Sequence, residues 1–248
     1  MESIDESPEN WRVEKVSFNA AYSNERMIAY LYLPKYGTPP YQTAVFFPGS
    51  NAISLRSHGE RIIRRFDYIL ETGRAVMFPI LKGTFERNDG LTSTWPNTSY
   101  RYVEYLIKWV KDFKRSIDYL EIRRDIDINR LAYLGFSWGG RMGAIIPAVE
   151  PRLKTSILYV GGLASGRARP EVDQINYITR VTIPTLMLNG KYDPIEPYEK
   201  AQLPMYRLLG SPDEDKNHIF YETDHGVPRN ASIKETLSWL DRYLGQLK

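Results

Sequence analysis

The sequence predicts an α/β fold: a mostly parallel sheet of eight strands with helices on both faces. Three observations carry this. Short apolar runs at 43–47 (TAVFF), 74–81 (RAVMFPIL) and 185–190 (TLMLNG) have the continuous hydrophobicity of strands covered on both sides. Helix-period patterns alternate with these runs, and that alternation argues for parallel pairing with crossover helices. The length of 248 residues, with 42% hydrophobic and 25% charged residues, fits one large globular unit, read here as residues 1–248.

Each element follows in order. Trp11, Val13, Val16 and Phe18 are the apolar members of a first strand, and 26–34 forms a second that stops at Pro34. No helix separates them, so the sheet starts antiparallel. Residues 37–42 (GTPPYQ) read as a loop, followed by the strand 43–47. A helix is expected from about Ser57 to Gly73, with Ile62, Ile63, Phe66, Ile69 and Leu70 on one stripe and Gly73 as its C-terminal cap. After the strand 74–81 comes a polar loop from Lys82 to about Thr98. The clearest helix then carries Val103, Leu106, Ile107, Val110, Phe113, Ile117 and Leu120 at spacings of three and four. Residues 125–129 (DIDIN) open like a calcium loop, but Arg130 and Phe136 stand where glycine and glutamate are required, so they read as a linker. The strand 130–136 follows, then a helix over 140–149 limited or kinked by Pro147. Strands at 155–162, 185–190 and 218–223 and a helix from about Ser232 to Leu247 complete the chain. One irregular insert lies at about 163–182, too short for a large lid.

Composition narrows the chemistry. The chain has no cysteine, which removes disulfides, thiolate catalysis and cysteine-bound zinc. The net charge of +3 arises from 33 basic and 30 acidic residues that are interspersed, unlike the basic face of a nucleic-acid binder. No run is long enough to span a membrane, and the polar, acidic start lacks the pattern of a signal peptide, so a cytoplasmic location is expected. Only His58, His218 and His225 can serve a histidine-dependent mechanism. His58 is expected at a helix start on the surface and His218 inside a buried strand.

In an open parallel sheet, reactive groups gather at the carboxyl ends of the strands. Three residues fall there. Ser137 lies between glycines in GFSWGG (135–140), after a strand and before a helix. Asp193 follows the strand 185–190, and His225 follows the last strand. A serine hydroxyl needs a histidine to take its proton, and that histidine needs a carboxylate on its other nitrogen. Side chains at 135 and 139 would collide across a sharp strand-to-helix turn. The helix start would leave N–H groups free to hold an oxyanion. Asp224 competes with Asp193 as the acid, but it adjoins His225 in sequence, and neighbouring side chains diverge.

These residues resemble the α/β-hydrolase superfamily, and the resemblance spans essentially the whole chain. Within it the chain is similar to the dienelactone hydrolase and prolyl-oligopeptidase-type esterase group. Residues 118–140 and 186–197 also resemble hydrolase domains found C-terminal to bacterial protein-kinase-like chains. That resemblance implies an excised domain or a free-standing relative, and a fusion to another domain or a homo-oligomer is kept as an expectation. The α/β-hydrolase resemblance implies a triad of Ser137, Asp193 and His225, with the backbone N–H groups of Ser50 and Trp138 as the oxyanion hole. The loop after the third strand reads Pro48-Gly49-Ser50-Asn51 instead of His-Gly-Gly, so Asn51 is the alternative donor. Dienelactone hydrolases use a cysteine nucleophile, and this chain has a serine, so the dienelactone substrate does not carry over.

The expected activity is hydrolysis of small carboxylic esters with short acyl chains, through an acyl-enzyme on Ser137. No metal or organic cofactor is called for. Asn51, Trp95 and Tyr192 are expected at the pocket, and Trp138 is expected to shape it. Arg167 and Arg169 are candidates for an anionic substrate, with a solvated loop as the competing account. Two other readings are a non-catalytic regulatory or binding domain of the same fold and a peptidase or amidase using the same triad.

Overall fold

A computed structural model describes residues 1–247. Among these residues, nine strands form one sheet: β1 (Ser3–Asp5), β2 (Trp11–Asn19), β3 (Arg26–Pro34), β4 (Tyr41–Phe47), β5 (Ala75–Ile80), β6 (Ile126–Phe136), β7 (Leu153–Tyr159), β8 (Thr185–Gly190) and β9 (Lys216–Tyr221). Their spatial order is β1-β2-β3-β5-β4-β6-β7-β8-β9. Strands β4 to β9 pair in parallel, and β1, β2 and β3 add an antiparallel flank. The additional strand is β1, three exposed residues whose composition carries no alternation to read. Residues 125–129 are corrected too: Ile126 begins β6, is buried, and pairs with Tyr41.

Helices cover both faces. Seven α-helical segments are α1 (Glu60–Ile63), α2 (Asp67–Glu71), α3 (Tyr100–Glu121), α4 (Trp138–Met142), α5 (Ile146–Val149), α6 (Leu203–Leu208) and α7 (Arg229–Leu244). Helix α3 matches its apolar spacing. Ser99 caps it by accepting the Tyr102 N–H at 3.2 Å. Its buried face runs through Tyr102, Leu106, Trp109, Phe113, Ile117 and Leu120, so Ile107 faces solvent instead of the core. Asp112, also on the buried face, is held by Tyr22, Arg87 and the Lys82 N–H at 2.6 to 2.8 Å, which satisfies a charge that would otherwise be costly to bury.

Two expected helices are each split. The stretch 57–73 breaks at Arg64–Phe66, where Phe66 leaves helical geometry at φ −143°, ψ 0°, while its ring enters the core. The stretch 140–149 breaks at Gly143–Ile145, and Pro147 sits in the first turn of α5, where its missing N–H costs nothing. Helix α7 ends at Leu244, with Gly245 at φ 91°. The insert 163–182 folds as three short 3-10 turns anchored by buried Val172, Ile178 and Val181. Two hydrophobic layers result. Phe47, Trp109, Phe113 and Tyr133 lie in one, and Phe46, Phe66, Phe78 and Trp239 in the other.

Candidate active site

Strands β4 and β6 are adjacent, yet β5 lies on the far side of β4 and β7 on the far side of β6. Chain connections diverge there, and the crevice above such a point is where open α/β sheets place their sites. Ser137 sits at the end of β6 and the loop Pro48–Asn51 at the end of β4.

Ser137 has φ 55° and ψ −106°, a left-handed backbone that a non-glycine residue adopts only under constraint. The constraint is visible. The Ser137 N–H donates to the Tyr159 carbonyl at 2.8 Å, the Gly139 N–H to the Pro48 carbonyl at 3.0 Å, and the Tyr133 hydroxyl to the Gly139 carbonyl at 2.6 Å. A Cβ at Gly139 would stand 2.2 Å from the Phe47 carbonyl oxygen, and one at Gly135 would stand 2.3 Å from that of Gly139. Both glycines are therefore steric requirements of the turn.

The other two residues converge on the serine. The Ser137 hydroxyl lies 2.8 Å from His225 Nε2, and His225 Nδ1 lies 2.6 Å from Asp193 Oδ2. Asp193 is buried, and its other oxygen accepts the N–H groups of Ile195 at 2.8 Å and Glu196 at 3.0 Å. Asp224 lies beside His225 in the chain, but its carbonyl only closes the turn by accepting the Gly226 N–H at 2.8 Å.

Two sets of N–H groups lie beside the serine at the starts of helical turns. Trp138 is the first residue of α4, so its N–H has no partner within the helix. Ser50 and Asn51 open a 3-10 turn whose first internal bond is the Ala52 N–H to the Gly49 carbonyl at 3.1 Å, so their N–H groups have none within the turn either. A Cβ at Gly49 would be 3.5 Å from that of Ser137.

A cavity of about 470 Å³ opens over these groups. Ser137, His225, Ser50 and Asn51 line it, together with Trp95 and Phe136. Two expectations are corrected. Tyr192 is absent from its lining and 62% exposed, with its hydroxyl turned to Glu222. The Trp138 ring is buried beneath the site against Phe47 and Trp109, with centroids 4.8 and 4.6 Å away. Arg169 is occupied by Tyr100, 3.8 Å from its guanidinium, and by the Thr98 carbonyl, and Arg167 is exposed.

The remaining histidines are packing residues. His58 sits among Tyr30, Tyr32 and Phe78, with Nε2 2.6 Å from the Tyr32 hydroxyl, and burial lowers its pKa. His218 lies on β9, a sheet edge instead of a buried strand, between Tyr198 and Tyr206, and burial pushes its pKa down to about 4.

The sequence reading missed Arg61, Arg65, Arg141 and Ile195, all of which line the cavity. Arg141 is buried, its guanidinium 4.0 Å from the Trp95 ring and 3.5 Å from Glu196. Burial outweighs that guanidinium and pushes the Glu196 carboxyl up to about 7. The available signal was an arginine inside the small and apolar stretch 138–149, since a charge is almost never buried there without a partner. Among the described residues, no group of histidine and carboxylate side chains is arranged to hold a metal, and no helix is long and apolar enough to cross a membrane.

The nucleophile-type elbow, the strand order and the two flanking strand-end loops define an α/β-hydrolase. The PET hydrolase-like family profile matches residues 93–247, and the chain belongs to that family. Over 134 residues it is 26% identical to the "Putative carboxymethylenebutenolidase" of Escherichia coli strain K12. That match covers 48% of this chain and 49% of the other, so the chain spans about half the length of the curated relatives it matches. Among solved structures it is similar to a cold-adapted esterase from an Arctic intertidal metagenomic library. The TM-score is 0.73 at 19% identity, over 98% of this chain and 97% of that one. It is also similar to acetyl xylan esterase 1 from Thermoanaerobacterium sp. JW/SL YS485, with a TM-score of 0.72 at 15% identity, over 97% and 88% of the two chains.

Proposed function

We propose that the protein is a serine esterase that cleaves small carboxylic esters through an acyl-enzyme on Ser137. The observation that carries this is the continuous chain Asp193–His225–Ser137, with contacts of 2.6 and 2.8 Å. His225 Nε2 takes the Ser137 proton as Oγ attacks the ester carbonyl. The carbonyl becomes an oxyanion, held by the N–H groups of Ser50 and Trp138. His225 passes the proton to the departing alcohol, and the acyl group stays on Oγ. Water, deprotonated by His225, then attacks the acyl-enzyme, and collapse returns the proton to Ser137. Asp193 fixes the imidazole tautomer and stabilises the imidazolium throughout. No step calls on a metal or an organic cofactor.

The cavity of about 470 Å³, walled by Phe136, Trp95 and Ile195, supports short acyl groups over long ones. Hydrolysis of p-nitrophenyl acetate and butyrate by the wild type and by Ser137→Ala tests the reading. The variant is expected to lose at least about 10³-fold in kcat. Equal rates in the two proteins would sink it.

A further inference from the structure

A second cavity of about 460 Å³ lies beside the site cavity, and Phe46, Phe136, Arg61 and Arg65 form a wall common to both. The second cavity is bounded by the broken helix 60–71 and the start of α7, and it adds Arg64 and Arg229 to its walls.

The arginines there are unusual in what they lack. Arg229 is bound to Asp67 at 2.8 and 3.0 Å and to the Arg64 carbonyl at 2.6 Å, so its charge is already met. Among the described residues, Arg61, Arg64 and Arg65 form no ion pair with any carboxylate within 4.0 Å, the range at which Arg229 finds its partner. Glu60 is the one carboxylate in the lining, against four guanidinium groups. Three guanidinium groups within five residues, two of them exposed, give this wall a positive potential that attracts an anion. Arg65 is also pinned. Its guanidinium lies 3.7 Å from the centre of the Phe136 ring, and Phe136 directly precedes Ser137. Burial, and then the Arg61 charge, hold its pKa below the usual arginine value without removing the charge. A partly desolvated, planar guanidinium stacked on the residue before Ser137, and lining the same cavity as Ser137, is suited to pair with a planar or tetrahedral oxyanion.

We propose that the arginine wall of the site cavity is a substrate subsite, and that the preferred esters carry a second, anionic group (a carboxylate or a phosphate) that Arg61 and Arg65 bind while Ser137 attacks the ester carbonyl. This rests on the serine esterase reading and adds the substrate class to it. Shape supports it as well, because a neutral acyl chain against that wall would desolvate unpaired guanidinium groups and gain nothing in return.

Matched substrates test it. 4-Nitrophenyl hemiglutarate against 4-nitrophenyl valerate places the charge on the acyl half. 4-Acetoxybenzoate against its methyl ester, and 4-acetoxyphenyl phosphate against 4-acetoxyanisole, place a carboxylate or a phosphate on the alcohol half. In at least one pair the anionic ester is expected to exceed its partner about tenfold in kcat/KM, mainly through KM. That ratio is expected to fall at least about fivefold in Arg65→Gln and in Arg61→Gln. Arg65→Lys is expected to retain an intermediate ratio. Salt at about 0.5 M, which shortens the Debye length to ~4 Å, is expected to reduce the ratio in the wild type. Arg61 is exposed, so Arg61→Gln reads the charge without disturbing the core. Neutral esters favoured in every pair, or a ratio unchanged in both glutamine variants, would overturn the subsite while leaving a Ser137-dependent esterase in place. Absence of Ser137-dependent hydrolysis in every pair would overturn both.

Discussion

Asp193 divides its two carboxylate oxygens between separate duties. Oδ1 accepts two backbone N–H groups, which locks the side chain, and Oδ2 is left for His225. Asp193→Asn preserves the shape but can turn an amide N–H toward His225, which favours the wrong tautomer. A loss of about 10⁴-fold in kcat is expected, against less than about twofold for Asp224→Asn. Steady-state rates on p-nitrophenyl acetate check the pair, and equal losses would refute the division of roles. At this scale the positions of Ser137, Asp193 and His225 were legible because each follows a strand-like run, a feature of sequence pattern. Directions of side chains were not. Trp138 follows Ser137 in the chain, yet the turn aims its ring down into the core, and Tyr192, one residue from Asp193, points outward to Glu222. Arg65 became visible only once Phe136 was placed beside it.

Among the elements, the turn from β6 into α4 is the most tightly determined. Its backbone strain at Ser137 is held by contacts to β4 and β7. Gly139→Ala would drive a Cβ into the Phe47 carbonyl and is expected to cost about 1–3 kcal/mol, lowering Tm by roughly 2–10 °C in calorimetry. Strand β9 supplies a second test. Burial lowers the His218 pKa to about 4, below its unfolded value near 6.5. The neutral ring therefore contributes stability that is complete above about pH 6.5 and is lost as pH falls through 4. His218→Phe, placed between Tyr198 and Tyr206, is expected to flatten the stability profile over that interval in denaturant titrations. An unchanged slope would show that the ring is not protonated there on unfolding. Long amphipathic α3 and the glycine-capped stretch ending at Gly73 were readable from period and punctuation. The break at Arg64–Phe66 was not, because the apolar stripe continues across it and only tertiary packing turns Phe66 inward. Nor was β1, which forms through backbone pairing with β2 and carries no pattern of its own.

Across the whole molecule, the sheet brings together groups far apart in the chain. Ser137, Asp193 and His225 follow the ends of three strands, and the Pro48–Asn51 loop follows a fourth beside the first. The order of apolar runs made this architecture readable, since parallel pairing leaves few topologies for alternating strands and helices. Cavities are another matter. The two neighbouring cavities depend on where the broken helix 60–71 lies against Phe136 and α7, a relation among segments that no local pattern encodes. On the proposed reading, Ser137, activated by His225, forms a covalent acyl-enzyme. Exposure of the folded protein to a fluorophosphonate, followed by intact mass and peptide mapping, tests it most directly. One adduct per chain, on the peptide that contains Ser137 and suppressed in Ser137→Ala, is the predicted result. Folded protein that takes up no adduct, or carries it on another residue, would contradict the claim.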